Sequence, residues 1–150
     1  MMMIAAKAGF NKIYEYLMEI DNLESPHSFK EPIDMQLVDR MGHTVGSYIY
    51  EKGIPSSVQV FFAYYVSKDH PDGSPKVDPN AVDPNGNNIL MLAAKIWDKR
   101  QTESIDILDH YQSYINAKQV NDDGEDIMRI ACVRGHVNLL DKLIEVFGKV

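Results

Sequence analysis

The stretch Val77–Ala94, VDPNAVDPNGNNILMLAA, decides how the rest of the chain is read. Val77 to Val82 forms a short extended run, and Asp83-Pro84-Asn85-Gly86 a tight turn. Asp83 can accept hydrogen bonds from the turn's own backbone, Pro84 presets φ, and Gly86 can take a positive φ. Asn88 is placed to cap a helix whose first turn is apolar. Ala93 and Ala94 follow in the second turn, small enough to let another helix approach closely.

The same frame recurs. Asp39-Arg40-Met41-Gly42-His43-Thr44 repeats the turn and the cap, and Asn121-Asp122-Asp123-Gly124-Glu125-Asp126 does so again, followed by Ile127, Met128, Ile130, Ala131 and Cys132. The extended run Ile33–Asp39 aligns with Val77–Asp83, and Tyr114-Ile115-Asn116-Ala117 is a partial further copy. Met2–Gly9 reads as the later half of a unit that lacks its turn.

Self-similarity at this spacing points to stacked repeats, and the pattern resembles the ankyrin repeat. That family's unit runs D-x-x-G-x-T-P-L-H-x-A-A, then G-H, an apolar second helix and D-V-N-A. Asp83, Gly86, Leu90, Ala93 and Ala94 match one copy, with Asp78, Asn80 and Ala81 at the end of the copy before it. Gly9, Gly53 and Gly135 fall where the inter-helix glycine sits, and Gly135-His136 keeps both letters, so a structural hydrogen bond is expected of His136. The departures are specific. The Pro position of T-P-L-H holds Val45, Ile89 and Ile127, and Ile49 and Tyr50 replace the Ala pair in the second copy, which should hold its helices further apart. Asp39 and Asp83 are 44 residues apart and Asp83 and Asn121 are 38 apart, against about 33 for the family.

The resemblance implies an all-α ankyrin-like solenoid of helix-turn-helix repeats joined by β-hairpin turns. One domain over 1–150 is expected, with about three and a half repeats at roughly 1–32, 33–76, 77–113 and 114–150, as part of a longer array. Helical periodicity and caps place helix pairs near 2–8 and 11–19, 44–51 and 55–66, 88–98 and 102–111, and 126–133 and 137–147. Pro55 suits the first turn of its helix. The polar segments 21–32 and 67–76 read as loops outside the frame.

Composition narrows the function. The chain is 45% apolar and 25% charged, enough for a core, and its net charge of −7 argues against nucleic acid, which requires concentrated Lys and Arg. No apolar run is long enough for a signal-peptide core or a membrane span. The single cysteine, Cys132, excludes an internal disulfide and suits a reducing compartment, so a cytoplasmic location is expected. At the second Ala position of its repeat, Cys132 should be a small buried core residue rather than a nucleophile.

Chemistry finds little footing. A calcium loop counted from Asp78 would need an oxygen ligand at its fifth position and a Glu at its twelfth, where Val82 and Ile89 stand. His27, His43, His70, His110 and His136 show no zinc-ligand spacing with one another or with Cys or Glu. No G-x-S-x-G, P-loop or dinucleotide glycine motif occurs. The expectation is no catalysis, no metal and no cofactor.

What the resemblance implies instead is a protein-binding surface along the hairpin tips and the exposed faces of the first helices. Transferred to this sequence, it selects Arg40, Met41, His43, Glu51 and Lys52 in the second repeat. In the third it selects Pro84, Asn85, Asn87, Lys95 and Ile96, and in the fourth Asp122, Asp123, Glu125 and Arg134. Trp97, a lone Trp on an insertion that replaces the turn Gly, joins them as a candidate anchor. Asp122, Asp123 and Glu125 should favour a partner with a basic patch. Uncapped terminal repeats leave room for a monomer or a weak oligomer. The insertion-rich repeats also resemble those of secreted effectors of intracellular bacteria. The first competing reading is therefore a targeting or spacer segment of a larger protein, such as an effector acting in a host cytoplasm, whose activity lies elsewhere; the second is an enzyme.

Overall fold

The computed structural model describes residues 1–9, 12–13, 16–17, 33–63, 72–96 and 102–148. Seven helices are delimited among them: α1 (Met2–Ala8), α2 (Val45–Lys52), α3 (Pro55–Phe61), α4 (Ile89–Lys95), α5 (Glu103–Tyr111), α6 (Ile127–Arg134) and α7 (Val137–Phe147). No β-strand occurs among the described residues, so the class is all-α. The loop expected over 21–32, residues 67–71 of the second loop, most of the helix expected over 11–19, and Trp97 lie outside the described residues. The fold divides into two compact units, Met1–Asp78 and Pro79–Val150.

In unit 1, α1 packs on α2 and α2 on α3. Thr44 caps α2 by accepting from the Ser47 amide at 3.1 Å. Gly53 ends α2 at φ 61°, a left-handed conformation that costs glycine nothing and most residues a good deal. Pro55 then opens α3, where its missing N–H is harmless. Ile49 and Tyr50, in the place of the Ala pair, are both buried. The small residue of this pair is Gly46 instead: a methyl group there would lie 2.9 Å from the Phe61 ring. Tyr50 meets the same ring edge-on at 6.1 Å between centroids.

In unit 2, α4 packs on α5 and α6, while α7 packs on α6 and α5. Leu90, Ile107, Leu108, Ala131, Leu139 and Leu143 form its core, and Ala93 and Ala94 are buried with them. His136 sits beside Gly135, and its Nε2 lies 2.8 Å from the carbonyl oxygen of Ala94. A carbonyl only accepts, so the imidazole donates from Nε2 and ties the start of α7 to the end of α4.

Two expectations need correction here. The helix expected over 88–98 ends at Lys95, because Ile96 is extended at φ −70° and ψ 124°. Cys132 is exposed, not buried. It occupies the same frame position as Ala94, but α6 and His136 cover Ala94, whereas no element among the described residues packs over Cys132. Burial at this position depends on the neighbouring repeat and not on the residue's own helix.

Candidate functional site

Three hairpins, one in unit 1 and two in unit 2, share one hydrogen-bonding scheme. The amides of Asp39, Asp83 and Asn121 donate to the carbonyls of His43, Asn87 and Glu125 at 2.9, 2.9 and 3.0 Å. The amides of Gly42, Gly86 and Gly124 then close the turns onto Asp39, Asp83 and Asn121 at 3.0, 2.9 and 2.9 Å. Each glycine has a positive φ, between 71° and 84°. Inside each turn one side-chain oxygen accepts two amides. Asp39 Oδ1 takes Met41 and His43 at 2.8 and 3.0 Å. Asp83 Oδ1 takes Asn85 and Asn87 at 2.9 and 2.8 Å, and Asn121 Oδ1 takes Asp123 and Glu125 at 3.1 and 2.8 Å. Thr44, Asn88 and Asp126 complete the scheme by capping the helix that follows.

In unit 2 the two hairpins are stitched together. The Asp122 amide donates to the Asn85 carbonyl at 3.0 Å. Asn121 Nδ2 donates to Asn87 Oδ1 at 2.9 Å in a buried setting, and Asn87 Nδ2 reaches both oxygens of Asp83 at 3.3 Å. Lys95 Nζ donates to Asn87 Oδ1 at 2.8 Å and pairs with Glu125 Oε2 at 3.5 Å, while Asn121 Nδ2 also donates to Glu125 Oε2 at 3.2 Å. The Asn121 side-chain amide, helped by Lys95, holds the Glu125 carboxyl below its ordinary range. Asn80 extends the join: its Oδ1 accepts from the Asn116 amide at 2.8 Å and its Nδ2 donates to the Tyr114 carbonyl at 2.6 Å.

In unit 1 the single hairpin leans on α2 and α1. Tyr48 donates its hydroxyl to Asp39 Oδ2 at 2.6 Å. That bond, with the His43 and Met41 amides, lowers the Asp39 carboxyl to about 2 and raises the Tyr48 phenol above its usual value. His43 stacks on Tyr48 with ring centroids 4.3 Å apart, and Lys7 Nζ lies 5.5 Å from the Tyr48 centroid. Ser47 donates its one hydroxyl proton to the Thr44 carbonyl at 2.9 Å. His43 Nδ1, 3.2 Å from Ser47 Oγ, is therefore the donor of that pair, and it reaches Glu51 at 4.0 Å.

These networks divide the residues selected from sequence into two groups. Asn87, Lys95 and Glu125 are engaged with one another inside unit 2, and Asn87 is only 4% exposed. Asn85, Asp122, Asp123 and Arg134 are exposed, and Ile96 is half-buried. In unit 1, Arg40, Met41, Glu51 and Lys52 are exposed and His43 is half-buried within its cluster. Sequence reading missed the outward-facing Leu37, Val38, Val82 and Val120. The aligned frame held the signal, since a Val precedes the turn residue in all three copies. Among the described residues no three acidic, Cys or His side chains are grouped to hold a metal, and no helix is long and apolar enough to cross a membrane.

No protein-family model matches the chain, and no curated protein matches it. A solved structure described as "Crystal Structure of EF0377 an Ankyrin Repeat Protein" is similar over 95% of this chain, with a TM-score of 0.57 at 17% sequence identity. This chain spans 62% of that one. The turn, cap, helix pair and Gly-His contact, together with that likeness, make the fold an ankyrin-type one.

Proposed function

We propose that the chain is a non-catalytic protein-interaction module that meets its partner through hairpin tips and first-helix faces. The observation that carries this is the division of labour in unit 2. Asp83, Asn87, Lys95, Asn121 and Glu125 bond to one another and tie the two turns together. Asn85, Asp122 and Asp123 are left outward on those turns. A pre-ordered polar tip loses little entropy on binding, which suits it to meeting a partner. The two exposed carboxylates suit a partner with a basic patch. A reducing, cytoplasmic setting fits an exposed, unpaired Cys132.

The test is surface-resonance kinetics against a partner captured with the wild-type chain. Asp122→Lys combined with Asp123→Lys should slow association by roughly tenfold at low salt and flatten its salt dependence. Unchanged kinetics in this variant, with loss of binding after substitutions on α5 or α7, would move the site to the second helices.

A further inference from the structure

We propose that the unit-1 hairpin, residues 37–41, is a second docking surface, for an acidic, apolar polypeptide segment. The inference rests on the reading of the chain as a protein-binding module. Leu37, Val38 and Met41 are 60%, 61% and 63% exposed, although Met35, two residues before Leu37, is buried. The chain contains its own control. Val38 corresponds to Val82 and Val120, so the frame itself accounts for a valine there. Leu37 corresponds to Ala81 and Gln119, and Met41 to Asn85 and Asp123. The same turn closes with small or polar residues at both positions, so the fold does not require Leu37 or Met41 to be large and apolar. Holding them in water gives up the stabilisation their burial would bring.

The hairpin is also hydrogen-bonded in its outward pose. Asp39 accepts the Met41 and His43 amides and the Tyr48 hydroxyl, and Gly42 closes the turn at φ 84°. Charge then selects the occupant. Asp39 is the one carboxylate in the run 35–43, and those bonds turn it inward. Arg40 is exposed on the tip, and Lys7 lies with its Nζ 3.9 Å from Met41 Sδ. Asp34, just outside the run, is bonded to the Gln36 amide. Exposed aliphatic side chains beside a guanidinium and an ammonium complement a segment of Leu, Ile or Val interspersed with Glu or Asp. A Lys-rich segment would meet Arg40 and Lys7 with like charge.

Fluorescence anisotropy on the full chain can read this with three labelled peptides in which Leu and Val alternate with Glu, Lys or Ser. The Glu peptide should bind most tightly. Leu37→Ala with Met41→Asn installs residues that the other copies carry, and should weaken the Glu peptide by roughly tenfold or more with the melting temperature unchanged. Arg40→Glu should weaken the Glu peptide and strengthen the Lys peptide. The proposal is overturned if wild type binds none of the three peptides or binds all three alike, or if the double variant and Arg40→Glu both bind the Glu peptide as wild type does. It is equally overturned if sedimentation shows that the double variant has lost self-association, because the occupant is then a second copy. A chain that takes the Glu peptide through Leu37 and Met41 but shows no response to charge reversal at Asp122 and Asp123 fails only the unit-2 reading.

Discussion

Oδ1 of Asp39, Asp83 and Asn121 stands at the same point of three hairpins and accepts the amides two and four residues ahead. A side-chain oxygen that satisfies two turn amides removes two orphaned donors at once, so its loss is felt locally. Asp83→Ala should therefore lower unfolding stability by about 1–3 kcal/mol, read from urea melts. Asp39 carries a further signature. Its folded carboxyl sits near 2, below its ordinary 3.8. The stability it contributes is therefore present above about pH 4 and is lost as pH falls from there toward 2. Asp39→Asn should flatten that part of the acid-denaturation profile. The same substitution should bring the Tyr48 phenol, raised mainly by its bond to Asp39, back toward its ordinary value in a titration followed by tyrosine ring resonances. This chemistry was legible in the sequence as far as it is local: turn, cap and glycine lie within six residues of one another. The Tyr48 bond spans nine residues and needs α2 in place before it exists.

Between elements, two glycines with the same φ separate backbone strain from packing. Gly86 and Gly124 lie at φ 77° and 71°. A methyl group on Gly124 would meet nothing within 4 Å, whereas one on Gly86 would lie 3.0 Å from the Asp122 amide nitrogen and 3.1 Å from the Asn121 Cα. Gly124→Ala should cost only the left-handed strain, about 1–2 kcal/mol, and Gly86→Ala should cost clearly more because backbone must move. Equal losses for the two in thermal melts would mean that the hairpins of unit 2 do not stack as described. Helix packing gives a parallel case. Ala94 is buried under α6 and its carbonyl accepts from His136. Ala94→Leu should overpack that contact and destabilise by about 1–3 kcal/mol, and His136→Ala should cost about 1–2 kcal/mol by stranding a buried carbonyl. The Ala pair and the Gly-His pair pointed to this contact in the sequence. The exposure of Cys132 at the same frame position did not, because composition within a helix says nothing of what lies across from it. The early end of α4 at Lys95 was hidden for a related reason: Ile96 continues the apolar pattern although its backbone leaves the helix.

For the molecule as a whole, the repeat frame was readable because each copy restates the same turn, cap and glycine, and it survives insertions that shift the spacing to 44 and 38 residues. The proposed binding surface was only partly readable. Frame positions nominate residues without saying which of them the fold itself consumes. Asn87, Lys95 and Glu125 hold one another, while Asn85, Asp122 and Asp123 remain outward. Leu37 and Met41 stand out only once their exposure is set beside the residues of the other copies. On the proposed reading, the interior polar groups fix the hairpin tips and a protein partner docks against them. Amide hydrogen exchange on the full chain, with and without its captured partner, tests this claim most directly. New protection confined to the hairpins, at residues 83–87 and 121–125 or 37–43, with α5 and α7 unchanged, is the expected result. New protection along 103–111 and 137–147, with the hairpins exchanging as in the free chain, would contradict the claim.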